Sequence, residues 1–104
     1  MNEVKLSGTV LNCYIHAPTD ALIIKLAVPH NHYIGKTVIG CEPVFTVIMN
    51  DADKIKNISV STGDEIMITG YLHLDIKVTK STKSDRENIH KTIKVFATDI
   101  KKLN

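Results

Sequence analysis

Residues 50–78 read NDADKIKNISVSTGDEIMITGYLHLDIKV. Ala52, Ile55 and Ile58 recur at helical spacing behind Asn50 or Asp51, either of which can cap a helix start. That predicts a helix of about two turns. Thr62-Gly63-Asp64 then reads as a turn, and from Ile66 the period switches to two. Ile66, Ile68, Leu72, Leu74, Ile76 and Val78 take one parity, and Met67, Thr69, Tyr71, His73, Asp75 and Lys77 the other. This is a strand with one apolar face. Gly70 sits on the inner parity, where a bend lets a strand coil around a barrel.

Upstream, residues 3–14 (EVKLSGTVLNCY) read as a first strand that Gly8 interrupts. His16 to Asp20 is a turn. Ala21 to Val28 follows as a strand with Leu22, Ile24, Leu26 and Val28 on one face, and Pro29 ends it. Residues 30–43 (HNHYIGKTVIGCEP) read as a long polar connection, and Val44 to Met49 as a third strand. Downstream, residues 79–91 (TKSTKSDRENIHK) read as a polar loop and Thr92 to Ile100 as the last strand. In this register Phe45, Val47, Met49 and Phe96 point outward, and the outer face of strand 3 is available for a subunit contact. Strand, strand, strand, short helix, strand, strand is the order of an all-β, five-stranded Greek-key barrel of the OB-fold type. Residues 1–104 form one such domain, with the helix between strands 3 and 4 plugging the barrel end. An SH3-like barrel is the alternative, but it usually lacks that helix.

Composition agrees with sheet. Isoleucine (14), valine (9) and threonine (10) together supply 33 of 104 residues, and branched side chains pack well on a pleated surface. No apolar run is long enough for a membrane helix, and MNEVKLSGTV has neither the basic start nor the apolar stretch of a signal peptide. The expectation is a cytoplasmic protein without a membrane partner. Cys13 and Cys41 are then expected to be free buried thiols. Thirteen basic residues face eleven acidic ones, so net charge alone does not demand a nucleic acid and its distribution matters more.

That distribution is uneven. Residues 77–91 hold Lys77, Lys80, Lys83, Arg86 and Lys91 against Asp85 and Glu87. Lysines on a hairpin neutralise phosphates and give sequence-independent affinity; a solvated hairpin tip has a similar composition. Tyr33, Phe45, Tyr71 and Phe96 are candidate stacking platforms, since every base offers a π-face. Tyr33 and Tyr71 are the better placed to meet solvent, and Lys36 lies beside Tyr33. His30-Asn31-His32 lacks a carboxylate or cysteine at ligand spacing, and Cys13 and His16 on a strand face opposite ways. No metal or other cofactor is expected. No nucleophile–base pair, Gly-rich phosphate loop or paired acids stands out, so catalysis is not expected either.

Three segments carry a resemblance. Val4-Lys5-Leu6-Ser7-Gly8-Thr9-Val10 resembles the first strand of the superfamily of bacterial single-stranded-DNA-binding proteins and primosomal replication protein N. Phe45 to Gly70, with Ile55, Val60, Gly63, Asp64, Ile66 and Ile68, is similar to that superfamily's strand–helix–Gly–strand block. Val95-Phe96-Ala97-Thr98-Asp99-Ile100 resembles its last strand. The tryptophans of the DNA-binding members are replaced here by His32 beside Tyr33, by Pro43 and by Lys77, and a phenylalanine by Met49. The chain stops at Asn104, where those members continue into an acidic-tipped tail; primosomal replication protein N resembles this chain in stopping short.

The resemblance implies sequence-independent single-stranded-DNA binding in replication, restart, repair or recombination. The binding residues would be His32, Tyr33, Lys36, Phe45, Tyr71, Lys77, Lys80, Lys83, Arg86 and Lys91. It also implies a homodimer or homotetramer and partners among replication or restart proteins. The alternative is an OB-type protein-interaction or assembly module that docks its partner on the apolar outer face of strand 3 and meets nucleic acid only incidentally.

Overall fold

The computed structural model describes residues 1–80 and 87–104, without the side chains of 30–34, 39, 41, 79, 80, 87, 88 and 90. Its elements are β1 (Val4–His16), β2 (Ala21–Ala27), β3 (His30–Ile34), β4 (Thr37–Cys41), β5 (Val44–Met49), α1 (Ala52–Asn57), β6 (Glu65–Lys80) and β7 (Glu87–Lys102). Five strands close a barrel in the order β1-β2-β5-β7-β6, and β3 and β4 form a separate two-stranded hairpin. The expected all-β, five-stranded barrel with one short helix is the observed fold.

Closure depends on β1. Its first half pairs with β6, from Val4↔Gly70 to Thr9↔Glu65, and its second half pairs with β2, from Thr9↔Ala27 to His16↔Ala21. A register shift between Val10 and Asn12 bends the strand between its two partners. At Gly8 the backbone runs so close to the Ala27 carbonyl that a Cβ would collide with it. Gly70 meets the Phe96 carbonyl in the same way. Opposite Gly70, β7 carries one extra residue: Thr69 pairs with Asp99 but Gly70 with Ala97. Thr98 is the bulged residue, and its hydroxyl donates to the Thr69 carbonyl oxygen at 3.1 Å.

The bulge sets the core. Val95 and Ala97 point inward below it and Ile100 above it, so the inward parity changes at Thr98. They join Val10, Leu22, Ile24, Leu26, Val47, Met49, Ile66 and Ile68. Each fully buried aliphatic side chain contributes about 1.5–3 kcal/mol. The helix has six residues, too short to persist alone. Its start is capped by the Asp51 carboxylate, which accepts from the Asp53 and Lys54 amides at 3.1 and 3.2 Å. Ile55 and Ile58 pack against the core, and the Lys54 ammonium donates to the Thr98 carbonyl.

Three expectations need correction. Residues 30–43 are not an irregular connection: β3 and β4 pair up to Ile34↔Thr37 around Gly35 and Lys36, with Gly35 at φ 61°. A two-residue loop opened by glycine is what such hairpins favour, because the positive φ matches strand twist. Much of 79–91 is strand, since β6 runs to Lys80 and β7 starts at Glu87. The outward parity of Phe45, Val47 and Met49 is reversed. They pair with Leu26, Ile24 and Leu22, and directly paired residues share a face. Val47 and Met49 are buried, and Phe45 is half-buried against the core. Both parities of VFTVIM are apolar, so only the register with β2 decides.

The close approach at Gly70 makes a prediction. Gly70→Ala should lower stability by about 1–3 kcal/mol, because the clash is with backbone that cannot rotate away. Urea denaturation of the variant beside the parent protein measures it.

Candidate nucleic-acid interface

The bulge at Thr98 leaves Phe96 facing outward between two buried neighbours, and register places it opposite Tyr71. The two rings stack with centroids 5.6 Å apart and planes 11° from parallel. His73 meets Phe96 edge-on at 5.3 Å and 89°. This makes a three-ring platform on the outer wall of β6 and β7, with the Tyr71 side still 41% exposed.

Phe96 stands between two depressions. The larger is an open groove of about 600 Å³ across the outer faces of β2, β5 and β7. Its floor is Ile23 and Lys25 from β2, Thr46 and Ile48 from β5, and Thr92, Lys94 and Phe96 from β7. Tyr14, His16 and Thr19 close its far end. Lys25 is held on the floor by donating to the Thr46 hydroxyl at 2.6 Å. The smaller cleft, about 240 Å³, lies between Asn50, Asp51, Lys54, Tyr71 and Phe96. An aromatic platform beside a lysine-bearing groove suits a planar base joined to a phosphate.

Lys94 is partly neutralised where it stands. Its ammonium lies 2.7 Å from one oxygen of Asp75, and the His73 ring lies 3.0 Å from the other. The Lys94 ammonium, assisted by His73, holds the Asp75 carboxyl below its ordinary value near 3.8. The same happens at Asp64, where the Ser61 amide donates to the carboxylate and Lys102 adds its charge.

The ribbon sorts the residues expected to bind. Tyr71 and Lys77 share its outward face with His73 and Asp75. Lys91 pairs with Ile76 and so lies on the other face, exposed. Lys36 is exposed at the tip of the β3–β4 hairpin. Phe45 belongs to the core wall. His32 and Tyr33 lie on β3, but their side chains are outside the described residues, as is that of Lys80; Lys83 and Arg86 lie outside them altogether. Tyr14, Lys25 and Lys94 are groove residues outside the expected binding set, and Phe96 was a candidate stacking platform that the set left out. Lys94 shares its parity with Thr92 and Phe96 in the last strand, and that signal could have selected it. Among the described residues no three of His, Cys, Asp and Glu gather as a metal would need. Cys13 is a half-buried free thiol whose hydrogen points to the Val60 carbonyl oxygen at 3.3 Å.

The Asp75–Lys94 pair has a pH signature. A carboxyl with a lowered folded-state value adds stability that is full above its unfolded value and is lost as pH falls through the folded one. Lys94→Met should therefore cost stability at neutral pH, and the cost should vanish well below the ordinary carboxylate value. Urea midpoints of parent and variant at about pH 6.5 and about pH 2.5 check this. A gap that persists in acid would mean the loss is packing.

No family model and no curated protein matches the sequence. Solved structures do match. A Plasmodium falciparum SSB in complex with single-stranded DNA superposes with a TM-score of 0.78 at 14% identity, covering 100% of this chain and 96% of that one. A small single-stranded-DNA-binding protein from Streptomyces coelicolor gives 0.62 at 17% identity, over 96% and 92%. The N-terminal domain of PriB from Thermoanaerobacter tencongensis, a dimeric structure, gives 0.59 at 18% identity, over 99% and 97%. The resemblance carried by residues 4–10, 45–70 and 95–100 thus holds at the level of the fold, and the chain has the OB barrel of the SSB and PriB structures.

Proposed function

We propose that this chain binds single-stranded DNA without sequence preference, as a binding protein and not a catalyst, in replication, restart, repair or recombination. The observation that carries the reading is the Tyr71–Phe96–His73 platform on the rim of a groove holding Lys25 and Lys94. A base extends the ring stack, and its phosphates run along the lysines. Lys77 continues that track outward on the same ribbon face, towards Lys80, Lys83 and Arg86 in the sequence. The β3–β4 hairpin, with His32, Tyr33 and Lys36, is the second arm. The complex of the Plasmodium SSB with single-stranded DNA supports the ligand class. The dimeric PriB structure supports a homo-oligomer, and replication or restart proteins are the expected partners. A cytoplasmic location fits this role. Docking of a partner on the outer face of strand 3 has less support, because Val47 and Met49 are buried.

Fluorescence anisotropy with a labelled thymidine oligomer, repeated on the same strand in duplex, tests the reading. The single strand should bind better. Phe96→Ala should cost about 1–3 kcal/mol at every salt concentration, because stacking releases no counterions. Changing Lys80, Lys83 and Arg86 together to Ala should instead flatten the salt slope by about 0.7 log units for each phosphate no longer neutralised. Equal affinity for duplex, or indifference to Phe96→Ala, would overturn it.

A further inference from the structure

We infer that Tyr14, at the end of the groove away from Phe96, is a second base-stacking subsite, and that one DNA strand crosses the sheet from the Phe96 rings to the Tyr14 ring. The inference deepens the single-strand reading and rests on it.

Register lines up one residue from each barrel strand. Tyr14 pairs with Ile23, Ile23 with Ile48, Ile48 with Phe96, and Phe96 with Tyr71. Directly paired residues share a face, so these five side chains form one row across β1, β2, β5, β7 and β6. Both ends of the row are aromatic and its middle is aliphatic. Ile23 and Ile48 are half-buried in the groove floor, whereas Tyr14 is 46% exposed. Three strand spacings, about 14 Å, separate Tyr14 from Phe96. Tyr14 therefore stands as its own platform, apart from the Tyr71–Phe96 stack.

A cationic row runs beside the row of rings. Lys25 pairs with Thr46, and Thr46 and Lys94 each precede by one residue the paired Val47 and Val95. Lys25, Thr46 and Lys94 are each two residues from a member of the ring row, which sets the rows about 7 Å apart. On the other flank the groove is lined by His16, Thr19, Ala21 and Asn50, without a lysine. Charge thus marks one side of the row for phosphates. A strand that lays its bases over Tyr14, the two isoleucines and Phe96 carries its backbone over Lys25 and Lys94.

The Tyr14 end has a formed wall. The Thr19 and Asp20 amides both donate to the His16 carbonyl oxygen, at 3.2 and 2.7 Å, and Asp20 turns the chain with φ 56°. The His16 ring lies 3.0 Å from the Thr19 hydroxyl. The β1–β2 turn closes on itself beyond the Tyr14 ring and bounds the path there. A path of about 14 Å takes about four nucleotides at the stacked rise of 3.4 Å, and fewer when the strand is stretched.

The test is fluorescence anisotropy of the full chain with a labelled thymidine oligomer of about twelve nucleotides, with an unlabelled thymidine dinucleotide as competitor. Tyr14→Ala should weaken the oligomer at least about fivefold at every salt concentration, because stacking releases no counterions, and Tyr14→Phe, which keeps the ring, should restore it. The dinucleotide is too short to join the two platforms and takes the larger one at Phe96. It should therefore compete equally well on the parent and on Tyr14→Ala, and poorly on Phe96→Ala. Circular dichroism checks that each variant is folded. If Tyr14→Ala unfolds, Tyr14→Leu, which keeps apolar bulk without the ring, takes its place. Oligomer affinity that survives loss of the Tyr14 ring while Phe96→Ala lowers it would overturn the subsite and leave the single-strand reading standing. Equal losses for oligomer and dinucleotide would make Tyr14 a merely structural residue and overturn it too. A parent that binds no single strand would overturn both.

Discussion

Two backbone contacts hold this barrel shut: Gly8 against the Ala27 carbonyl and Gly70 against that of Phe96. At both, strands approach with no side chain between them. The approach at Gly8 and the register shift between Val10 and Asn12 let β1 serve β6 with one half and β2 with the other, and a sheet without such a crossing would stay open and expose its edges. The second contact also fixes the site. The bulge at Thr98 opposite Gly70 keeps Val95 and Ala97 inside and so turns Phe96 out, into the stack with Tyr71. The Thr98 carbonyl then accepts from Lys54, tying the helix to the same point. Core, cap and platform share one local irregularity.

The β6–β7 ribbon divides its work by parity. Its outward positions carry rings and charges: Tyr71, His73, Asp75, Lys77, Lys94 and Phe96. Its inward positions beyond the barrel are aliphatic from Leu72 to Val78 and at Ile89 and Ile93, with Lys91 between the last two. In a β-ribbon the two sets cannot mix, because side chains alternate strictly. A polar, ring-bearing face and an apolar face therefore coexist on the same sixteen-residue strands.

Electrostatics enters locally, not through the net charge of +2. Lys25 is steered by a threonine hydroxyl and Lys94 by a carboxylate, so both cations are held in defined positions. The cost is that Asp75 competes for Lys94. In the proposed binding role, such competition would moderate affinity and leave stacking to supply much of the hold on a strand.

Much of the architecture was legible in the chain. The switch from helical to two-residue period at Ile66, a cap at Asn50 or Asp51 and the glycines at 8 and 70 announce a five-stranded barrel with a short helix, because those signals are local. The alternation of strand 4 was legible too, but its burial was not: Leu72 to Val78 keep the core parity while standing outside the core. Where a strand leaves its sheet depends on the reach of its neighbours. Phe45 went inward for a similar reason, since both faces of VFTVIM are apolar and only pairing with Leu26 chooses between them. The β3–β4 hairpin hid in a polar stretch whose one strong sign was Gly35. The Tyr71–Phe96 contact joins residues twenty-five apart, through a bulge of one residue. Single-residue register decides which side chains meet, and only the tertiary structure, where all the backbones close together, determines it.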